Sequence, residues 1–100
     1  MPETNNFYKM NNLKELKIWN KAIDLAVDVY KATSTYPSDE RFGLTSQSRR
    51  AAVSNPSNIA EGAGRNLPKE FNNFLGIANG SFYELQTQLV IANKLTILKF

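Results

Sequence analysis

The stretch Phe71-Asn72-Asn73-Phe74-Leu75-Gly76-Ile77-Ala78-Asn79-Gly80-Ser81-Phe82-Tyr83-Glu84-Leu85-Gln86-Thr87-Gln88-Leu89-Val90-Ile91-Ala92 decides the fold class. Phe71, Phe74, Leu75, Ala78, Phe82, Leu85, Leu89 and Ala92 recur at i, i+3, i+4 and i+7. That spacing places apolar side chains on one face of an α-helix. Asn79-Gly80 is a hairpin dipeptide in isolation, but no strand-like alternation surrounds it, and it falls inside the stripe. Just upstream, Pro68 suits the first helical position and Glu70 the positive end of the helix. The pattern predicts a helix over residues 68–95. The final residues, Leu95-Thr96-Ile97-Leu98-Lys99-Phe100, leave the stripe and are strongly apolar.

Working backwards, residues 40–62 carry a second helical stripe of Leu44, Ser48, Ala51, Ala52 and Ile59, whose small members permit close approach of a neighbour. Asn55 lies in the middle of that stripe. Pro56 removes a backbone donor and predicts a kink there, the alternative being two helices parted around residues 54–58. Gly62 and Gly64 are the expected C-cap, with Arg65 and Asn66 in the turn.

Residues 13–35 predict the first helix. Lys14, Lys17, Lys21, Asp24, Asp28 and Lys31 share one stripe, spaced for i, i+3 and i, i+4 ion pairs on a solvated face. The opposite arc holds Trp19, Ala22, Ile23, Ala26, Val29, Tyr30 and Thr33, widened by Leu16, Ile18, Leu25 and Val27. An arc of about half the circumference is broader than a lone surface helix needs, so this helix is expected to touch two or more neighbours. Pro37 disfavours helix at Tyr36, and Ser38 or Asp39 is the expected N-cap of the second helix. Residues 1–12 are polar and read as a frayed N-terminal arm that Phe7, Tyr8 and Met10 can tack onto a surface.

Composition narrows the function. The 100 residues suffice for one core, and a hydrophobic fraction of 42% argues for a folded chain. There is no Cys and no His. The usual proton shuttle, the best thiol nucleophile and most transition-metal sites are therefore missing, and so is the Glu-x-x-His pair of di-iron bundles. Gly62-Ala63-Gly64-Arg65 lacks the setting and the Lys of a phosphate loop. The chain is read as non-enzymatic, with no cofactor, no metal and no small-molecule substrate. Short apolar runs exclude a membrane span, and the lack of cysteine and of a signal peptide fits the cytoplasm. Twelve basic residues against nine acidic ones give +3, a mild bias toward anionic partners.

Helical spacing also assembles two constellations. Gln47, Arg50, Ser54, Asn58 and Glu61 share one face of the second helix, with Arg49 about 100° away. Arg49 and Arg50, with Arg41 and Arg65, are candidates for nucleic-acid phosphates, because guanidinium forks match them bidentately. For Arg50 an ion pair with Glu61 or Glu84 is the favoured alternative. On the third helix Gly76 and Gly80 stand one turn apart, continued by Ser81 and Glu84. Glycine inside a helix costs roughly 1 kcal/mol, so this pair suggests a close crossing, within the chain or between subunits. Trp19 is a core or interface anchor.

Together these residues resemble a family. Leu16-Lys17-Ile18-Trp19-Asn20-Lys21-Ala22, Phe42-Gly43-Leu44-Thr45-Ser46-Gln47, the long segment Arg49-Arg50-Ala51-Ala52-Val53-Ser54-Asn55-Pro56-Ser57-Asn58-Ile59-Ala60-Glu61-Gly62, and Ala78-Asn79-Gly80-Ser81 with Glu84-Leu85 look like the four-helix-bundle proteins encoded by intervening sequences in 23S rRNA genes. The resemblance implies an all-α, antiparallel up-down four-helix bundle that assembles into a ring, a homo-oligomer and most simply a pentamer. The related accessory proteins of diversity-generating retroelements imply contact with a reverse transcriptase and its RNA. Two departures stand out: Asn55 occupies a position apolar in the family, and the sequence stops before the family's fourth helix, which is expected to be truncated or supplied in trans.

Overall fold

The computed structural model describes residues 13–100, so the expected arm over residues 1–12 lies outside the described residues. Three long helices dominate: α1 (Lys17–Thr33), α2 (Ser46–Gly64) and α3 (Pro68–Lys94). The fold is all-helical, with no strand among the described residues. None of these helices is long and apolar enough to cross a membrane.

α1 starts later than its periodicity predicts. Residues 13–15 form a separate helical turn and Leu16 is extended (φ −77°, ψ 111°). The helix also stops early, because the Ser34 and Thr35 hydroxyls donate back to the Lys31 and Ala32 carbonyls at 2.6 and 2.9 Å. Such local side-chain bonds compete with helix continuation.

The second helix begins at Ser46 instead of residue 40. A 3-10 turn (Ser38–Glu40) and a π-type turn (Arg41–Thr45) precede it, and the backbone breaks at Gly43 (φ −111°, ψ −114°). Neither Ser38 nor Asp39 supplies the cap; the Glu40 carboxylate accepts the Leu44 N–H at 3.0 Å. Pro56 is buried inside α2, which runs through it as one helix, so the two-helix alternative is excluded. The glycines expected to cap α2 lie within it, and Asn66 takes the left-handed conformation (φ 61°) just beyond its end.

α3 matches its stripe closely and ends in a Schellman motif. Thr96 N–H donates to Asn93 O at 3.0 Å and Ile97 N–H to Ala92 O at 2.9 Å, which satisfies carbonyls that the helix end leaves free. Thr96 is left-handed there (φ 61°).

α2 packs between its two neighbours. Ala26 and Val29 of α1 meet Ala51 and Ala52 of α2 and Leu85 of α3 in one buried cluster; Ala22, Ile59 and Ala78 form a second. Numbers rise along α1 and α3 as they fall along α2, so adjacent helices run antiparallel. The core is built mostly of alanines, and among the described residues only Leu85 of the larger aliphatic side chains is fully enclosed. Burial of such a side chain contributes about 1.5–3 kcal/mol.

α1 and α3 do not close over α2. Between them runs a groove of about 300 Å³ lined by Ile18, Leu25, Leu75 and Phe82, with Asn55 and Ile59 along the α2 side. Ile18, Ile23, Val27 and Tyr30 of α1 are all more than a third exposed. The excess breadth of the α1 arc is thus left open to solvent.

Asn55 resolves its own problem. Its side-chain amide donates to the Ala78 carbonyl of α3 at 2.6 Å. The amide is only part-buried, and the bond ties α2 to α3 where an apolar residue would merely pack.

Candidate nucleic-acid interface

The antiparallel pairing of α1 and α2 brings the C-terminal end of α1 beside the N-terminal end of α2. Arg49 occupies that junction. Its Nε donates to the Thr33 hydroxyl at 2.8 Å and its Nη2 to the Tyr30 carbonyl at 3.2 Å. Its guanidinium carbon stands 4.6 Å from the centroid of the Tyr30 ring. A cation there satisfies late carbonyls of α1 and lies at the negative end of its dipole. The half-buried Arg49 is therefore committed to joining two helices.

Arg41 and Arg50 are exposed and form no ion pair among the described residues. They converge with Arg49 on an open groove of about 590 Å³, whose other walls include Tyr30, Ser46 and Val53. The π-type turn puts Arg41 there by breaking the helix before Ser46. Three cations, an exposed tyrosine ring and hydroxyl donors thus share one concave surface. Such a surface can hold a phosphate by charge-assisted hydrogen bonds and a planar group against Tyr30.

The remaining candidates lie elsewhere. Glu61 pairs with Arg65 at 3.2 Å instead of Arg50, an exposed i, i+4 bridge of little energetic weight. Arg65 also stands 5.2 Å from the Phe74 ring centroid. Asn58 is used internally, donating to the Ser54 carbonyl at 2.8 Å and to its hydroxyl at 3.0 Å. Ser54 in turn meets the Ser81 hydroxyl at 2.9 Å, so this part of the polar face is turned toward α3. Gln47 is exposed, and Glu84, also exposed, accepts from Gln88 at 3.3 Å. The Lys and Asp side chains of α1 form no bridge within 4.0 Å among the described residues.

Trp19 is half-buried against the Ala22–Ile59–Ala78 cluster. Gly76 and Gly80 mark no crossing among the described residues, since a Cβ at either would meet none of them within 4 Å. The close approach falls at Gly62, where a Cβ would lie 2.6 Å from Phe74 Cβ. Sequence reading passed over Gly62, Tyr30 and Thr33 as functional contacts. A C-terminal glycine, an aromatic and a hydroxyl on an apolar arc carry no mark of the partner that tertiary pairing brings them.

Antiparallel packed helices bearing a cationic notch at one end place the chain among small all-helical, bundle-type proteins. A family model described as 23S rRNA-intervening sequence protein matches residues 14–100, and the chain belongs to that family. The resemblance drawn from the segment Arg49 to Gly62 is borne out by that match. No curated protein matches the chain.

Proposed function

We propose that this is a non-enzymatic, self-associating helical-bundle protein that contacts RNA phosphates through Arg41 and Arg50, beside the junction-bound Arg49. The observation that carries the reading is the convergence of the exposed Arg41 and Arg50 on one groove beside Arg49, with no ion-pair partner for either among the described residues. In this reading a fourth helix, or an equivalent from another copy, seats in the open groove between α1 and α3 and completes an up-down bundle. Copies of that bundle form a cytoplasmic ring, a pentamer if the wider family sets the pattern, and retroelement-type RNA complexes belong to the same class of partner.

The test is fluorescence anisotropy of a labelled rRNA fragment across a salt series. Two phosphate contacts predict an affinity loss of about 7- to 12-fold between 50 and 200 mM salt. The Arg41→Ala/Arg50→Ala protein should bind more weakly, with a shallower salt slope. Equal binding by wild type and variant at every salt concentration would refute it. Arg49 is left intact, because its loss also loosens the α1–α2 junction.

A second reading, a structural ring or protein-binding adaptor without nucleic-acid contact, is favoured by the outer face of α3. Ile77, Tyr83, Val90 and Ile91 are exposed there, beside open Gly76 and Gly80. Light scattering decides on self-association: a strict monomer at micromolar concentration removes both the ring and this face as a subunit contact.

A further inference from the structure

At the opposite end from the arginines lies a hollow of about 530 Å³, walled by Leu13, Leu16, Ala60, Ala63, Leu67 and Phe71. Its size is that of a ligand or peptide pocket. Among the described residues its lining is almost wholly apolar, with Asn66 the one polar side chain on it. Leu67, on its wall, is 59% exposed although it adjoins the buried Gly62–Phe71–Phe74 contact.

The chain itself enters at this hollow. Leu13 and Leu16 both line it, and the segment carrying them is held in place. The Asn20 side chain donates to the Lys14 and Leu16 carbonyls at 2.7 and 3.0 Å, and Leu16 N–H donates to Leu13 O at 3.0 Å. The break at Leu16 turns residues 13–15 off the line of α1. The twelve residues before Leu13 carry the large apolar side chains Met1, Phe7, Tyr8 and Met10, with only Glu3 and Lys9 charged. The hollow lies within their reach, since the five steps from Leu13 to Tyr8 span at most about 18 Å.

We propose that the hollow is a docking site for this chain's own residues 1–12, with Phe7, Tyr8 and Met10 filling it. The arm then covers Leu67 and Phe71 and clamps the root of α1 onto the α2–α3 turn.

The chain contains no cysteine, so an engineered pair reports proximity without interference. Tyr8→Cys with Ala63→Cys should oxidise to an intramolecular disulfide at least ten times faster than Tyr8→Cys with Val90→Cys. Val90 lies about 28 Å along α3 from Phe71, beyond the arm's reach. Equal rates for the two pairs would overturn the proposal. Predominantly intermolecular cross-linking through Ala63→Cys would also overturn it, assigning the hollow to a second copy. In parallel, Phe7→Ser/Tyr8→Ser in the full chain should raise the fluorescence of a bound apolar dye several-fold, and an unchanged signal counts against docking.

Discussion

The helical glycines Gly62, Gly76 and Gly80 should respond to alanine with opposite signs. Helix propensity alone favours alanine by about 1 kcal/mol at each. At Gly62 the steric contribution opposes this. The new Cβ would lie 2.6 Å from Phe74 Cβ, which no rotamer change can move, and 3.1 Å from Phe71 Cδ1. Ordinary carbon–carbon contact at about 3.5–4.0 Å requires α2 and α3 to part by roughly 1 Å, and such a gap forfeits a quarter to a half of each neighbouring contact. Overpacking of this kind costs about 1–3 kcal/mol. Gly62→Ala should therefore be net destabilising by up to about 2 kcal/mol, lowering Tm by up to about 15 °C in a domain of this size. Gly76→Ala and Gly80→Ala meet nothing within 4 Å and should each stabilise by about 0.5–1 kcal/mol. Urea unfolding followed by circular dichroism measures all three. A Gly62→Ala protein stabilised as much as Gly76→Ala would refute the close crossing. A concentration-dependent loss in Gly80→Ala would instead place a subunit contact at that face.

Other substitutions probe the junctions. Arg49→Ala removes two hydrogen bonds and a stacked ring from the α1–α2 junction and should cost about 1.5–2 kcal/mol, with Arg49→Lys recovering only part; denaturant midpoints give the comparison. Thr96→Gly relieves a β-branched residue held at φ 61° in the Schellman turn and should raise stability by about 1 kcal/mol in the same melts. The Tyr36 hydroxyl is buried without a partner among the described residues, and burial pushes its pKa up from 10.0. A raised folded pKa means stability is fully present below the unfolded value near 10.0 and is lost as pH climbs through the folded one. Tyr36→Phe should therefore flatten the alkaline fall in stability, and an unchanged slope above pH 10 argues against this origin.

Much of the architecture is legible in one dimension, because helical periodicity is a local property. The stripe from Phe71 to Ala92 predicts α3 nearly to the residue, and the broad arc of α1 announces more apolar surface than one neighbour covers, as the exposed Ile18, Ile23 and Val27 show. The absence of His and Cys narrows the chemistry before any fold is known. Where side chains compete for backbone groups, the pattern misleads. Ser34 and Thr35 shorten α1, and the Glu40 carboxylate with Gly43 delays α2 to Ser46.

The candidate site was legible as residue types and not as a place. Arg41, Arg49 and Arg50 are visible as cations, and helical spacing groups Arg50 with Asn58 and Glu61. Only the antiparallel docking of α1 on α2 sets Arg49 over Tyr30 and Thr33, and only the π-type turn swings Arg41 toward Arg50. The same holds for glycine. Composition sees glycines inside helices as equal costs, and the crossing of α2 with α3 puts Gly62 against Phe74 while leaving Gly76 and Gly80 open. Sequence by itself determined the helices, their apolar faces and the family. Tertiary structure decided which polar groups are consumed in joining helices and which remain free for a partner, because that depends on contacts between residues sixteen to twenty-seven positions apart.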